Sequence, residues 1–180
     1  MSRTSRRAAA IAVALGALML VGAGPAPAAP APTDGSHESL VRATLAANEG
    51  SVRLSTNTIQ LDKGLVMTLP GKRGTATTSQ ARGVCNYQYF CVYQHAWWGG
   101  ASLGMSACRV YHLSNYQWWN AKEKHWEDWA LDTSSWINNQ SGGAVATMWH
   151  PKGYTMRVGV TSDHHMPPGW NDMVVRARPC

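Results

Sequence analysis

Phenylalanine occurs once in this 180-residue chain, and acidic side chains only ten times. Charged residues make up just 14% of it, too few for an intrinsically disordered chain or a coiled coil. Cysteine is missing until position 85. A long apolar run is missing too. The uncharged apolar stretch at residues 8–21 is short and alanine-rich for a membrane span. No Cys-x2-Cys pair and no His-x3–5-His pair occurs, which removes the usual zinc frameworks. The length fits one small domain plus extras, not a multi-domain enzyme.

What is plentiful is glycine, at 17, and tryptophan, at 9, beside 6 tyrosines. The formal charge of +6 misleads, because Arg3, Arg6 and Arg7 belong to a segment expected to be removed. Without them 13 cationic side chains face 10 acidic ones, or +3. That is too weak to argue for nucleic acid or a membrane surface. The three arginines, the apolar run and Ala26-Pro27-Ala28 have the order of a secretory signal cut after Ala28, with Ala23 as an alternative. Arg6-Arg7 lacks the context of a twin-arginine signal. The Ala/Pro-rich residues 29–35 predict an extended spacer.

Export sets the redox compartment. Cys85, Cys91, Cys108 and Cys180 are even in number and expected to form two disulfides. Three connectivities exist. Cys85–Cys91, a local loop, with Cys108–Cys180, a long one, is the expected pair.

Residues 36–69 differ from the rest, with no cysteine and no tryptophan. Leu40, Val41, Thr44 and Leu45 share a helical face, with Gly50 as a stop. Ile59, Leu61, Leu65, Met67 and Leu69 alternate around Lys63-Gly64, which predicts a β-hairpin. Residues 70–83 are polar and basic and predict a linker. Cleavage there would make 36–69 a pro-segment; an appendage that stays attached is the other reading. From residue 84 onward, short β-like runs at 90–93, 144–150, 157–160 and 174–175 predict an all-β domain. The tryptophans at 118, 119, 126 and 129 suggest one or two helical turns within 116–131.

Tyr93, Trp98 and Gly100 form an informative string. The spacing suits a folded hairpin in which two rings pack over a bend and a glycine takes a positive φ. This string resembles the signature of the βγ-crystallin Greek key. With Cys85, Phe90 and Cys91 ahead of it and residues 132–139 behind it, the region 84–180 resembles a secreted bacterial peptidase-inhibitor family built on that fold. The resemblance implies two Greek-key motifs in a β-sandwich. The second is degenerate, because Trp149 and Tyr154 match in spacing while Met156 stands where glycine is expected. It also implies inhibition of secreted metalloproteinases of the thermolysin type, by a rigid disulfide-tied loop that presents a peptide bond. The chain departs from the family in one respect: it lacks a counterpart of the second short cysteine loop, which carries the reactive bond.

Calcium sites of βγ-crystallin domains set two acidic or amide residues ahead of two hydroxyl residues, and hard oxygen ligands suit Ca²⁺. Here Ser134-Ser135 follow Ala130-Leu131, and Asn171-Asp172 precede Val175-Arg176. Each half-site lacks its partner, so Asn171 and Asp172 are incomplete candidates that ordinary turn residues also explain, and no cofactor is expected. Gly100, Ser102 and Gly104 match a nucleophile-elbow string, with Asp163 and His164 as triad partners on paper. The elbow needs a strand and then a helix, and the hairpin context makes the match a coincidence. Among the scattered histidines, His150 included, His164-His165 are the candidates for a metal, but neighbours on a strand face opposite ways, so surface histidines are expected. Trp97-Trp98 and Trp118-Trp119 are expected to divide between core and a protein- or glycan-contact patch.

The sequence therefore predicts a secreted, monomeric, non-enzymatic inhibitor whose partner is a secreted protease. The rival is a non-inhibitory binding or antimicrobial protein acting at cell walls or glycan surfaces.

Overall fold

Residues 29–71 and 84–180 are described by the computed structural model. The expected signal segment (1–28) and residues 72–83 of the expected linker lie outside them.

Ser36 opens helix α1 (His37–Ala47) by accepting a hydrogen bond from the Ser39 amide, the usual way to satisfy an orphan helix donor. Val41 and Thr44 are fully buried. Leu40 and Leu45 pack at the edge of the core. Asn48 ends the helix and ties it to the rest. Its amide donates to the Thr44 and Gln117 carbonyls, and its carbonyl accepts from the Gln117 amide at 2.8 Å.

Thirteen strands follow: β1 (Val52–Arg53), β2 (Thr58–Asp62), β3 (Leu65–Thr68), β4 (Tyr89–His95), β5 (Gly99–Met105), β6 (Tyr111–His112), β7 (Gln117–Asn120), β8 (His125–Asp128), β9 (Ser135–Asn139), β10 (Ala146–Trp149), β11 (Thr155–Val158), β12 (Ser162–Asp163) and β13 (Arg176–Arg178). The described residues are thus mostly β with one short α-helix. A seven-stranded sheet runs β1-β2-β3-β5-β4-β9-β12 and a four-stranded sheet β11-β10-β13-β6, with β7-β8 a separate hairpin. All pairings are antiparallel. One apolar cluster takes Ile59, Leu65, Phe90 and Leu103 from the large sheet and Met148 and Ala177 from the small one. Burying such side chains contributes about 2 kcal/mol each.

The hairpin alternation expected at residues 59–69 is present, with Ile59, Leu61, Leu65, Met67 and Leu69 all buried. Its separateness is not. β3 pairs with β5 over Leu65↔Met105 to Thr68↔Ser102, so residues 36–69 build one end of the same sheet as the expected 84–180 domain. A lone two-stranded hairpin is marginally stable at best, and joining β5 makes this one part of a larger sheet.

Three further expectations need correction. The tryptophan stretch forms the β7–β8 hairpin, not helical turns. Trp119 pairs with Trp126, their rings edge to face at 5.4 Å, and cross-strand aromatic pairs stabilise sheets. The spacer residues 29–35 do not stand free: Ala29 accepts a hydrogen bond from the Trp126 indole. Val174-Val175 precede β13 rather than forming it.

Both disulfides join the expected partners, Cys85–Cys91 and Cys108–Cys180. The second closes a 72-residue separation, worth roughly 4 kcal/mol in the chain-entropy account. No helix among the described residues is long and apolar enough to cross a membrane.

Candidate functional site

The turn between β4 and β5 organises the site. Trp97 and Trp98 have φ of 60° and 57°, and Gly100 follows at 75°. Two consecutive tryptophans in left-handed conformation cost on the order of 1–2 kcal/mol each, so something must hold them. Ser135, fully buried, does so: its hydroxyl donates to the His95 carbonyl at 2.7 Å and accepts from the Trp98 amide at 3.1 Å. The Trp98 indole donates to the Trp136 carbonyl. Gly100 is required twice over. A Cβ there would lie 2.9 Å from Gln94 Cβ and 3.1 Å from the His95 ring, in a conformation that only glycine adopts without penalty.

Tyr93 and Trp98, expected to clamp the bend, border one cleft. Tyr93 is 2% exposed. Its hydroxyl finds no hydrogen-bond partner among the described residues. Burial pushes its ionisation upward, so it stays a neutral donor. Thr58, Thr68 and Ser102 border the same cleft, with Val66, Leu69 and Pro70 on its wall. Its volume is about 280 Å³.

Trp97 stands outside the cleft, 59% exposed. Its ring stacks on His164 at 4.1 Å and meets the edge of His165 at 5.3 Å. Its amide donates to the His164 carbonyl. His164 and His165 do not face apart: their rings are 4.7 Å from one another, because β12 ends at Asp163. His150 is buried and accepts from the Lys152 amide, against the surface reading of the histidines.

The two incomplete calcium half-sites meet. The Ser134 hydroxyl donates to one Asp172 carboxylate oxygen at 3.0 Å, and the Asn171 amide donates to the other. Both oxygens thus face donor hydrogens, the opposite of the lone-pair cage a cation needs. As arranged, these residues do not fit a calcium ion, and no group of three or more His, Cys, Asp or Glu among the described residues is placed to hold a metal. Beside them lies Asp132, a residue the sequence did not single out. Burial pushes its carboxyl up to about 7, and nearby Asp172, Glu127 and Asp128 push the same way, while a hydrogen bond from the Gln94 amide opposes them.

Ser102 lies inside β5 and is 8% exposed. It is flanked by Tyr93 and Thr68 on the neighbouring strands, not raised on a strand-to-helix turn. That is not the geometry of a nucleophile elbow. The degenerate second string forms an ordinary hairpin. Met156 pairs with Met148, Gly153 takes the positive φ, and Tyr154 is exposed.

The Cys85–Cys91 loop projects from the start of β4. Tyr87 at its tip is 65% exposed, and Gln88 has φ 72°. The Gln88 amide donates to the Asn139 carbonyl at 2.9 Å, and the Gln88 side chain donates to the Ser141 hydroxyl at 2.8 Å. The Asn139 side chain donates back to the Cys85 carbonyl at 2.8 Å.

No protein-family model, no curated protein and no solved structure matches this chain.

Proposed function

We infer that the protein is a secreted peptidase inhibitor with a βγ-crystallin-like Greek-key fold. It acts as a monomer by placing a loop in the cleft of an extracellular metalloproteinase. The observation that carries this reading is the Cys85–Cys91 loop. It offers an exposed aromatic, Tyr87, on a backbone fixed by a disulfide and by Asn139 on both flanks. A loop already held in one conformation loses little entropy on binding, and its cleavage is slow. The Tyr93, Trp98 and Gly100 spacing, with its folded turn, supports the fold; the N-terminal address and two disulfides support secretion.

Titration against a thermolysin-type protease tests the inhibitor reading. Loss of protease activity at nanomolar inhibitor, weakened at least tenfold by Tyr87→Ala as expected for an aromatic anchor, supports it. No inhibition at high micromolar concentration rejects it.

One observation favours the rival reading, a binding or antimicrobial protein at glycan surfaces: Trp97 is exposed and packed, tilted by 32°, against His164. Retention on insoluble glycans, lost in Trp97→Ala, would support that reading.

A further inference from the structure

Four strands of the large sheet carry hydroxyl side chains in a single cross-strand row. Thr58 pairs with Thr68, Thr68 with Ser102, and Ser102 with Tyr93. Directly opposed residues of an antiparallel sheet point to the same face. Strands lie about 4.8 Å apart, so the row is a regular ladder of hydroxyls. All four residues line the cleft.

The row is unusual in what surrounds it. Hydroxyls on a sheet face normally meet solvent or one another. The Tyr93 hydroxyl is fully buried and unpartnered among the described residues. Leaving such a group unpaired costs about 1–3 kcal/mol, a cost that a bound hydroxyl or carbonyl would remove. Among the described residues, no side chain lining the cleft is charged at neutral pH, so there a charged ligand would lose its hydration without an opposite charge in return. Apolar residues border it too: Trp98, Val66 and Pro70.

We propose that this cleft is a binding site for a neutral saccharide unit. Each side-chain hydroxyl can donate and accept, which matches a ring of ligand hydroxyls that also do both. The apolar border matches the C–H face of a pyranose, as an aromatic ring does. A peptide fits less well. The floor is the face of a sheet, and the backbone groups beneath it are spent on the β2-β3-β5-β4 ladder. They cannot pair with a peptide main chain as a sheet edge would. The site borders the Cys85–Cys91 loop through Val84 and Asn86, but its argument does not depend on the inhibitor reading.

The test is an amide-resolved NMR titration of the folded, disulfide-bonded protein with N-acetylglucosamine and glucose as probes, and with glucosamine and glucuronate as charged counterparts. Saturable shifts clustered on Thr58, Thr68, Tyr93 and Ser102, stronger for the neutral sugars, are expected. Tyr93→Phe should weaken binding about tenfold, the value of one buried hydrogen bond. It should leave thermal stability equal or higher, because it deletes a hydroxyl unpaired in the free protein. A purely structural tyrosine would move stability and leave the titration alone. Ser102→Ala provides a second, independent loss. The proposal is overturned if the cleft amides do not move at the highest soluble sugar concentration. It is likewise overturned if shifts confine themselves to Trp97, if charged sugars bind equally well, or if Tyr93→Phe binds like the parent.

Discussion

The Tyr111 hydroxyl donates to the Gly64 carbonyl at 3.0 Å. This bond crosses from the small sheet to the hairpin turn of the large one. Arg109 lies 4.7 Å over the Tyr111 ring and pairs with Asp62 at the same turn. The hairpin at residues 58–68 is therefore held by contacts with residues more than forty positions downstream.

Gly64 is the tightest point of that junction. A Cβ there would meet the Ala107 Cβ at 2.6 Å, and φ is 71°. Gly64→Ala should destabilise the fold by roughly 2–4 kcal/mol, combining left-handed strain with overpacking. Urea denaturation reads this as a lower midpoint; an unchanged midpoint would mean that the turn is loose.

Cutting the chain should not separate its halves. With a specific protease site introduced between Gly71 and Val84, the cleaved protein should still elute as one species, and the two pieces should part only in denaturant. The β3–β5 ladder and the buried face of Val41, Ile59 and Met67 hold them together. Separation in native buffer would restore the reading of residues 36–69 as a detachable pro-segment.

Asp132 sets a pH trend. Its carboxyl titrates at about 7 in the folded protein, against an ordinary value of 3.8. The folded state therefore holds a proton that the unfolded state has lost between these values. Stability is fully present below about 4 and declines as pH rises towards 7. Asp132→Asn should remove this decline and stabilise the protein at pH 8 by about 1–2 kcal/mol, after allowance for partial solvent exposure. Melting curves at pH 4 and pH 8 check it; an equal effect at both would contradict the assignment.

Ser135→Ala should release the strained turn. The variant loses the bond to the His95 carbonyl and leaves the Trp98 amide without its acceptor. A cost of about 1–3 kcal/mol is expected. The exposed Trp97 indole should also change its fluorescence as its stack on His164 loosens. No change in either signal would show that the turn holds itself.

Local pattern carried part of this architecture into view, and only part. The helical face of Leu40, Val41, Thr44 and Leu45 and the alternation from Ile59 to Leu69 depend on near neighbours, so both were readable. Trp118, Trp126 and Trp129 fit a helical face and a hairpin equally well by spacing. Only the pairing of Trp119 with Trp126 decides between them. The hydroxyl row was hidden for a related reason: Thr68 meets Ser102 through a register fixed thirty-four positions away. Asp132 entered only as the first residue of the 132–139 string, and its unusual carboxyl arises from burial by segments distant in sequence. The two half-sites at Ser134 and Asp172 were each read alone, and nothing in either string says that they touch.

Strand β13 sits between β10 and β6, in the interior of its sheet. A ribosome or translocon delivers residues in order, so the four-stranded layer has a gap at its centre until Arg178 emerges. The hydrophobic cluster cannot close over that gap earlier. Completion of the small layer thus waits on the last strand of the chain, and its packing closes in one late step.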